Sequence, residues 1–250
     1  MGVFRFKRFD VVNERSAMKV NTDGVLLGAV MTIMPEDRRL LDIGTGTGTI
    51  ALMAAQRLSD TSSMAVSDMA YGGTVEVDAI DVDEPSAVEA AMNFRNSPWS
   101  NMLHAAHSSL EAYIPEAGEY DLIFSNPPYF DNALQAPEER RNAARHTTTG
   151  LSYREILEFA AVHLASQGRV AMVLPADTEH DLTRHARMCG LHLYKITRVR
   201  TVSRKAPGRI IAEFSRERNS TPEDRILTIQ ENGQYTQEYL SIMKDFYLFA

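Results

Sequence analysis

The sequence predicts an α/β fold, with a mostly parallel sheet, helices on both faces and an antiparallel hairpin strand near the C-terminus. Three observations carry that expectation. Short apolar runs of strand length alternate with longer runs of helical periodicity, the pattern of βαβ units. A glycine-rich turn, Gly44-Thr45-Gly46-Thr47-Gly48, stands at a strand-to-helix junction. In the last third, two strand-like runs flank a turn containing Pro207-Gly208, which reads as a hairpin.

Arg39–Ile43, Thr74–Asp81, Met102–Ala106, Tyr120–Phe124, Arg169–Leu174 and Leu191–Val202 read as strands. Gly48–Leu58, Pro85–Asn96, Tyr153–Leu164 and Thr178–Cys189 read as helices. The hairpin pairs Leu191–Val202 with Arg209–Phe214 and is expected at the sheet edge. The tail from Gln234 is amphipathic and reads as a terminal helix that docks back. Residues 59–73 are small, polar and Gly-ended, and read as a loop insertion. Residues 131–150 read as a second, apolar-poor loop.

Bulk composition narrows the class. Hydrophobic content of 44% and charged content of 24% describe an ordinary soluble globule. The apolar runs fall far below the roughly 18 residues of a membrane span. Met1–Phe9 lacks the apolar core of a signal peptide. The single cysteine, Cys189, excludes an intramolecular disulfide framework and a multi-cysteine zinc site. A cytoplasmic protein without membrane partner or metal is expected.

The net charge of −7 argues against nonspecific nucleic-acid binding. The bases are nevertheless clustered. Residues 194–209 carry Lys195, Arg198, Arg200, Arg204, Lys205 and Arg209 with no acid among them. Arg140, Arg141, Arg145 and His146 form a smaller cluster, and Arg5, Lys7 and Arg8 interleave with Phe4, Phe6 and Phe9. Two readings of the 194–209 run stay open, a face for a polyanion and an edge strand protected by charge.

The glycine turn needs residues that tolerate unusual dihedrals and leave room for a ligand. A phosphate-binding P-loop would need a lysine that is missing here, and the nicotinamide fingerprint would need its third glycine at the position of Thr49. The S-adenosylmethionine loop, an acid followed by alternating glycines, fits Asp42, Gly44, Gly46 and Gly48 without mismatch. Asp81 ends the next strand, where an acid can accept from both ribose hydroxyls of a nucleoside. Its distance from the glycines exceeds the usual ~20 residues, which the insertion at 59–73 explains. Asp83 is the competing candidate for the ribose, and either acid can cap the helix starting at Pro85; the reading favoured here gives Asp81 the ribose and Asp83 the cap.

The strand Tyr120–Phe124 runs into Ser125-Asn126-Pro127-Pro128-Tyr129-Phe130. Proline lacks a donor for the ladder, so the sheet stops here. In such folds ligands bind beyond the carboxyl ends of the strands, which sets Asn126 facing the same crevice as the glycines. An exocyclic amine conjugated to a π-system is a poor nucleophile. Two acceptors aimed at its two hydrogens favour the pyramidal geometry in which positive charge develops. The Asn126 side-chain oxygen and the Pro127 carbonyl are those two acceptors, held by the rigid Pro127-Pro128 pair. Tyr129 can stack on a planar base, worth roughly 1–3 kcal/mol. With an activated sulfonium donor, positioning carries most of the rate.

The pairing of these two motifs resembles the amino-directed, S-adenosylmethionine-dependent methyltransferases with a Rossmann-like class I fold, whose sheet is seven-stranded. Further segments narrow the resemblance: Met18-Lys19-Val20, Thr22-Asp23-Gly24-Val25-Leu26-Leu27-Gly28-Ala29, "NSPW" at 96–99, "RHTTT" at 145–149 and "FYLF" at 246–249. In order and over nearly the whole chain, they are similar to bacterial tRNA (adenine-N6)-methyltransferases that modify adenosine 37, beside the anticodon of a valine tRNA. The resemblance implies a single domain. Residues 1–38 would close the cofactor pocket, 39–190 would form the βαβ core, and 191–250 the hairpin and tail. It implies that Lys19, Thr22, Asp23 and Gly24 help close that pocket, and that Asn126, Pro127, Pro128 and Tyr129 hold the target base. S-adenosyl-L-homocysteine would be the second product, tRNA the partner rather than DNA, and the protein a monomer.

Two positions depart from that pattern. Asn21 stands where a glycine is usual, and His107 where an acid would hold the cofactor's adenine. His107, Ser108 or a backbone group is left for that role. An unpaired RNA base can be splayed out and its flanking phosphates held by cations. This gives Arg204, Lys205 and Arg209 on the hairpin, Arg145 after the motif and Phe130 as a second aromatic wall a place in RNA binding. Three rivals remain. Methylation of a protein glutamine, as in release-factor methyltransferases, usually comes with a helical N-terminal domain, yet only residues 1–38 precede the glycine strand. A DNA adenine methyltransferase would need a target-recognition domain. A nucleotide- or RNA-binding module without catalysis would not need the Asn126–Tyr129 motif.

Overall fold

The computed structural model describes residues 2–64, 74–115, 119–128, 151–218 and 221–250. The chain begins with a two-stranded antiparallel ribbon, β1 (Val3–Arg5) and β2 (Asp10–Val12), followed by helix α1 (Thr22–Val30). Strand β3 (Arg39–Ile43) comes next and buries Leu40, Leu41 and Ile43. A strand apolar on both faces belongs in the middle of a doubly covered sheet. There β3 pairs in parallel with β4 (Glu76–Asp81) on one side and β6 (Tyr120–Ser125) on the other. Strand β5 (Leu103–His107) lies outside β4 and β7 (Leu164–Pro175) outside β6, both parallel.

Beyond β7 the pairing changes sign. Strand β9 (Arg209–Ser215) runs antiparallel between β7 and β8 (His192–Val202). Strand β10 (Glu223–Glu231) adds in parallel outside β8, and β11 (Gln234–Tyr235) closes that side. Among the described residues the sheet thus has nine strands in the order β5-β4-β3-β6-β7-β9-β8-β10-β11.

Neighbouring residues of a strand point to opposite faces, which separates two cores. Leu40 and Leu122 face α1, α2 (Thr49–Met64), α3 (Glu84–Arg95) and α6 (Gln237–Met243). Leu41 and Ile123 face α4 (Tyr153–His163) and α5 (Glu179–Met188). Helix α4 starts on a capping box, with Ser152 and Glu155 satisfying each other's backbone donors. No helix among the described residues is long and apolar enough to cross a membrane.

The structure corrects four expectations. The sheet has nine strands rather than seven, because the short apolar centre of β10 lies between charged ends. The β8–β9 hairpin is antiparallel as expected but is not the edge, since β10 covers it. Helix α2 runs to Met64, so the first six residues of the expected insertion are helical, and 65–73 lie outside the described residues. The tail is helical only over Gln237–Met243, although it does dock. Tyr239, Met243 and Phe246 are buried, and the Lys7 amide donates to the Phe246 carbonyl at 2.8 Å. The expected loop at 131–150 lies outside the described residues.

A buried ion pair ties the segment before β3 to β7. Arg169 Nη2 donates to Asp37 Oδ2 at 2.6 Å, and the same oxygen accepts from the Met34 amide at 2.8 Å. Both side chains are about 2–3% exposed, so removing one strands the other in a dry environment. Asp37→Ala is expected to lower stability in urea denaturation by about 3–5 kcal/mol. The double replacement Asp37→Ala/Arg169→Met should recover a substantial part of that loss.

Candidate functional site

The glycine turn takes the conformation its sequence demands. Gly44, Gly46 and Gly48 have φ of 71°, 56° and 80°, the left-handed region that side chains disfavour. They differ in what surrounds them. A Cβ on Gly48 would stand 2.4 Å from the ring of Phe94, so Gly48 lets α3 pack close. A Cβ on Gly46 would meet Ser16 Oγ at 3.3 Å and the Met18 carbonyl at 3.4 Å. Gly46 is therefore where the strap of residues 13–21 lies over the turn. Asp42 is fully buried below the turn and accepts from Thr45 Oγ1 at 2.7 Å. It shapes the loop through Thr45 and does not face the crevice.

Helix α3 clamps the strap in place. Glu89 is buried and takes three successive backbone donors, the amides of Glu14 (2.9 Å), Arg15 (2.7 Å) and Ser16 (3.0 Å). One turn along, Asn93 accepts from the Val12 amide at 2.9 Å and donates to the carbonyls of Val12 and Thr47. One turn back, Ser86 Oγ meets Ser16 Oγ at 3.1 Å. Sequence reading missed this row. Its signal was a Glu and an Asn at i, i+4 on a helix whose same side carries Ala90 and Phe94.

At the tip of β4, Asp81 accepts from the Gly46 amide (2.8 Å, Oδ2) and from the Asp83 amide (2.9 Å, Oδ1). It thereby joins the glycine turn to the start of α3. Burial raises its pKa, and the two amide bonds oppose that rise. Asp83 is the N-cap of α3, accepting from the Ser86 amide at 3.0 Å. His107 is exposed, with Nε2 3.1 Å from the Val82 carbonyl, and is not among the residues lining the crevice. Its neighbour Ser108 is the residue of β5's end that lines the crevice.

The crevice is a cavity of about 230 Å³. Its walls include Ile43, Ile80, Val82, Leu110 and Leu151, with Asp81 and Ser108 as polar points. A smaller recess of about 30 Å³ adjoins it, lined by Lys19, Asn21, Gly24 and Thr47 among others. Met18, Gly44, Gly46 and Asn126 border both. Asn126 is 7% exposed, at the point where β6 ends. Ser125 anchors that point through its hydroxyl to the Ile43 carbonyl at 2.7 Å. Pro127 is buried, and Pro128 is exposed and lines the larger cavity. Tyr129, Phe130 and Arg145 lie outside the described residues.

Of the N-terminal candidates, Lys19 and Gly24 line the recess, and Lys19 Nζ donates to the Glu14 carbonyl at 2.7 Å. Thr22 opens α1, and Asp23 is turned to Arg209 Nε at 2.8 Å. Arg209 is thus engaged next to the site rather than standing on the hairpin tip. The rest of the basic run divides. Arg198 pairs with Glu179 and Asp224, and Lys195 lies within 4 Å of Glu213 and Glu223. These two fit the reading of a charge-protected sheet. Arg204 and Lys205 are exposed on the turn after β8, at the same carboxyl edge of the sheet as Asn126.

The donor set suits S-adenosylmethionine. Asp81 offers a carboxylate that can accept from a ribose diol, apolar walls suit a purine, and the recess behind the glycines suits an amino-acid tail. Among the described residues no group of His, Cys, Asp or Glu is arranged to hold a metal ion.

The family model described as methyltransferase small domain matches residues 16–188. A Parabacteroides distasonis protein named tRNA1(Val) (adenine(37)-N6)-methyltransferase is 39% identical over 98% of this chain and 97% of its own. Proteins of the same name from Pedobacter heparinus and Flavobacterium psychrophilum are 38% and 36% identical, again over 98% of this chain and 97% and 99% of theirs. Among solved structures, a predicted O-methyltransferase from Agrobacterium tumefaciens is similar in fold, with a TM-score of 0.62 at 14% identity, covering 90% of this chain and 96% of that one. A T. thermophilus 16S rRNA N2 methyltransferase in complex with AdoMet and guanosine has a TM-score of 0.55 at 17% identity, covering 86% of this chain and 50% of that one.

Burial pushes the Asp42 carboxyl up to about 7, with the nearby Asp81 adding to the rise and the Thr45 hydroxyl opposing it. Between pH ~4, where an unfolded Asp has ionised, and pH 7, the folded state keeps a proton that the unfolded chain has released. Stability from this group is therefore full at low pH and is lost as pH rises through 7. Asp42→Asn removes the titration. Wild type is expected to lose more stability than Asp42→Asn between pH 4 and 7 in urea denaturation, by on the order of a few kcal/mol. Parallel curves would contradict this account of Asp42.

Proposed function

The chain belongs to the methyltransferase small domain family and, within it, groups with the bacterial tRNA1(Val) (adenine(37)-N6)-methyltransferases, and from that premise we propose that it methylates N6 of adenosine 37 in a valine tRNA. The observation that carries the proposal is the position of Asn126. It borders both the cavity and the recess, beside Gly44 and Gly46, at the carboxyl edge of the sheet.

S-adenosylmethionine, when bound, supplies a methyl group already activated by its sulfonium. The chain's own residues hold and orient. Asp81 would take the ribose hydroxyls and Ser108 the purine edge, while Lys19, Gly24, Gly44 and Gly46 would surround the amino-acid tail. The Asn126 side-chain oxygen and the Pro127 carbonyl would accept the two hydrogens of the adenine amine. That draws its lone pair out of conjugation and stabilises the charge developing on nitrogen. Tyr129 would stack on the splayed base. Arg204 and Lys205 would meet phosphates beside it, with Phe130 and Arg145 in the same interface. The proposal includes one working domain over residues 1–250, a monomer acting on tRNA in the cytoplasm, and S-adenosyl-L-homocysteine as second product.

The test is transfer of labelled methyl to tRNA lacking this modification, followed by nucleoside analysis. Label in N6-methyladenosine is expected, and its absence from tRNA would overturn the substrate. Asn126→Ala should keep cofactor affinity while turnover falls about 10²–10³-fold, the usual loss for one oriented hydrogen-bond partner of a transition state. Turnover within a few-fold of wild type would contradict the two-acceptor mechanism.

A further inference from the structure

A carboxamide can sit in its site two ways round, because its oxygen and nitrogen have nearly the same shape. Only one way suits the reaction just proposed, with the Asn126 oxygen available to the target amine. The question is what on this chain sets that choice.

Asn126 Nδ2 lies 3.4 Å from Asn21 Oδ1 and 3.5 Å from Met18 Sδ. Both partners are acceptors, so both point to nitrogen on that side. Met18 is a weak acceptor, and the stronger constraint comes from Asn21. Asn21 has its own orientation fixed without reference to Asn126. Its Oδ1 caps α1 by accepting from the Gly24 amide at 2.9 Å, and its Nδ2 donates to the Lys19 carbonyl at 3.0 Å. Turning the Asn21 amide over would set NH2 against an N–H and oxygen against a carbonyl, breaking both bonds. Asn21 can therefore offer Asn126 only an oxygen. A reversed Asn126 would set oxygen against oxygen at the same place.

We propose that Asn21 is a positioning residue that fixes which way round the Asn126 carboxamide sits and so keeps its oxygen for the substrate amine. The inference rests on the reading of the preceding subsection. Asn21 touches no reacting atom and acts through Asn126. Its other role, capping α1, can be separated from this one, because serine caps a helix as well as asparagine but is too short to reach Asn126.

The experiment compares wild type, Asn21→Ser and Asn21→Asp. Asn21→Ser should lower kcat about tenfold, with the melting temperature held. Asn21→Asp, which presents only oxygens, should restore most of the turnover lost in Asn21→Ser. In protein labelled with ¹⁵N at asparagine, the Asn126 side-chain NH2 resonance, identified by its absence from Asn126→Ala, should shift in Asn21→Ser. An Asn21→Ser enzyme with wild-type kcat, or an Asn126 resonance that does not move, overturns the inference. Wild-type methylation of tRNA is the reference throughout. A wild type that modifies tRNA yet is indifferent to Asn21→Ser refutes this inference alone, whereas a wild type silent on tRNA refutes the reading beneath it.

Discussion

The site depends on one carboxylate. Glu89, buried on α3, gathers the amides of Glu14, Arg15 and Ser16 and so seats the strap on the glycine turn. Three backbone amides converge on one buried side chain at 2.7 to 3.0 Å. Without it the Ser16 amide would be left unpaired in a buried setting, at the cost that unpaired polar groups carry there, and the amides of exposed Glu14 and Arg15 would lose the partner that holds them to α3. The strap in turn supplies Met18, Lys19 and Asn21 to the recess, and Asn21 begins α1. Without the clamp, the part of the recess wall that the strap supplies loses three of its anchors.

The same helix serves the other half of the crevice. Asp83 caps α3, Asp81 reaches back from β4 to the Gly46 amide, and Gly48 lets Phe94 approach. The glycine turn, Asp81 and the strap are therefore referenced to one rigid element. Asn126 comes from the neighbouring strand and meets the strap through Asn21 and Met18. This explains how a reaction that depends on positioning is served by residues from sequence regions as distant as 21 and 126. Where atoms must be held to a fraction of an ångström, sites built on helices and strands serve better than loops.

Much of this was legible in the sequence because it is local. The alternation of strands and helices, the left-handed glycines and the Asn-Pro-Pro stop each show within a few residues, and Asp83 was readable as a cap from Pro85 two positions on. The unread parts are long-range. Glu89 and Asn93 find partners in residues 12–16, and their i, i+4 spacing on an otherwise apolar side marks them as buried without naming those partners. Strand β10 was hidden because its apolar centre is short and its value lies in covering β8. The basic run was legible as charge but not as function: Lys195, Arg198 and Arg209 meet acids from α1, α5, β9 and β10, and only Arg204 and Lys205 stand exposed at the tip. Asn21 was visible as a departure from an expected glycine, and only its contacts show why a side chain there has consequences.

The most direct measurement on this account is amide hydrogen exchange across residues 13–21 in wild type and Glu89→Ala, alongside S-adenosylmethionine affinity by calorimetry. Loss of protection at Glu14, Arg15 and Ser16, together with weakened cofactor binding in a protein that still unfolds cooperatively, is the predicted result. Unchanged protection or unchanged affinity would contradict the claim that Glu89 builds the site.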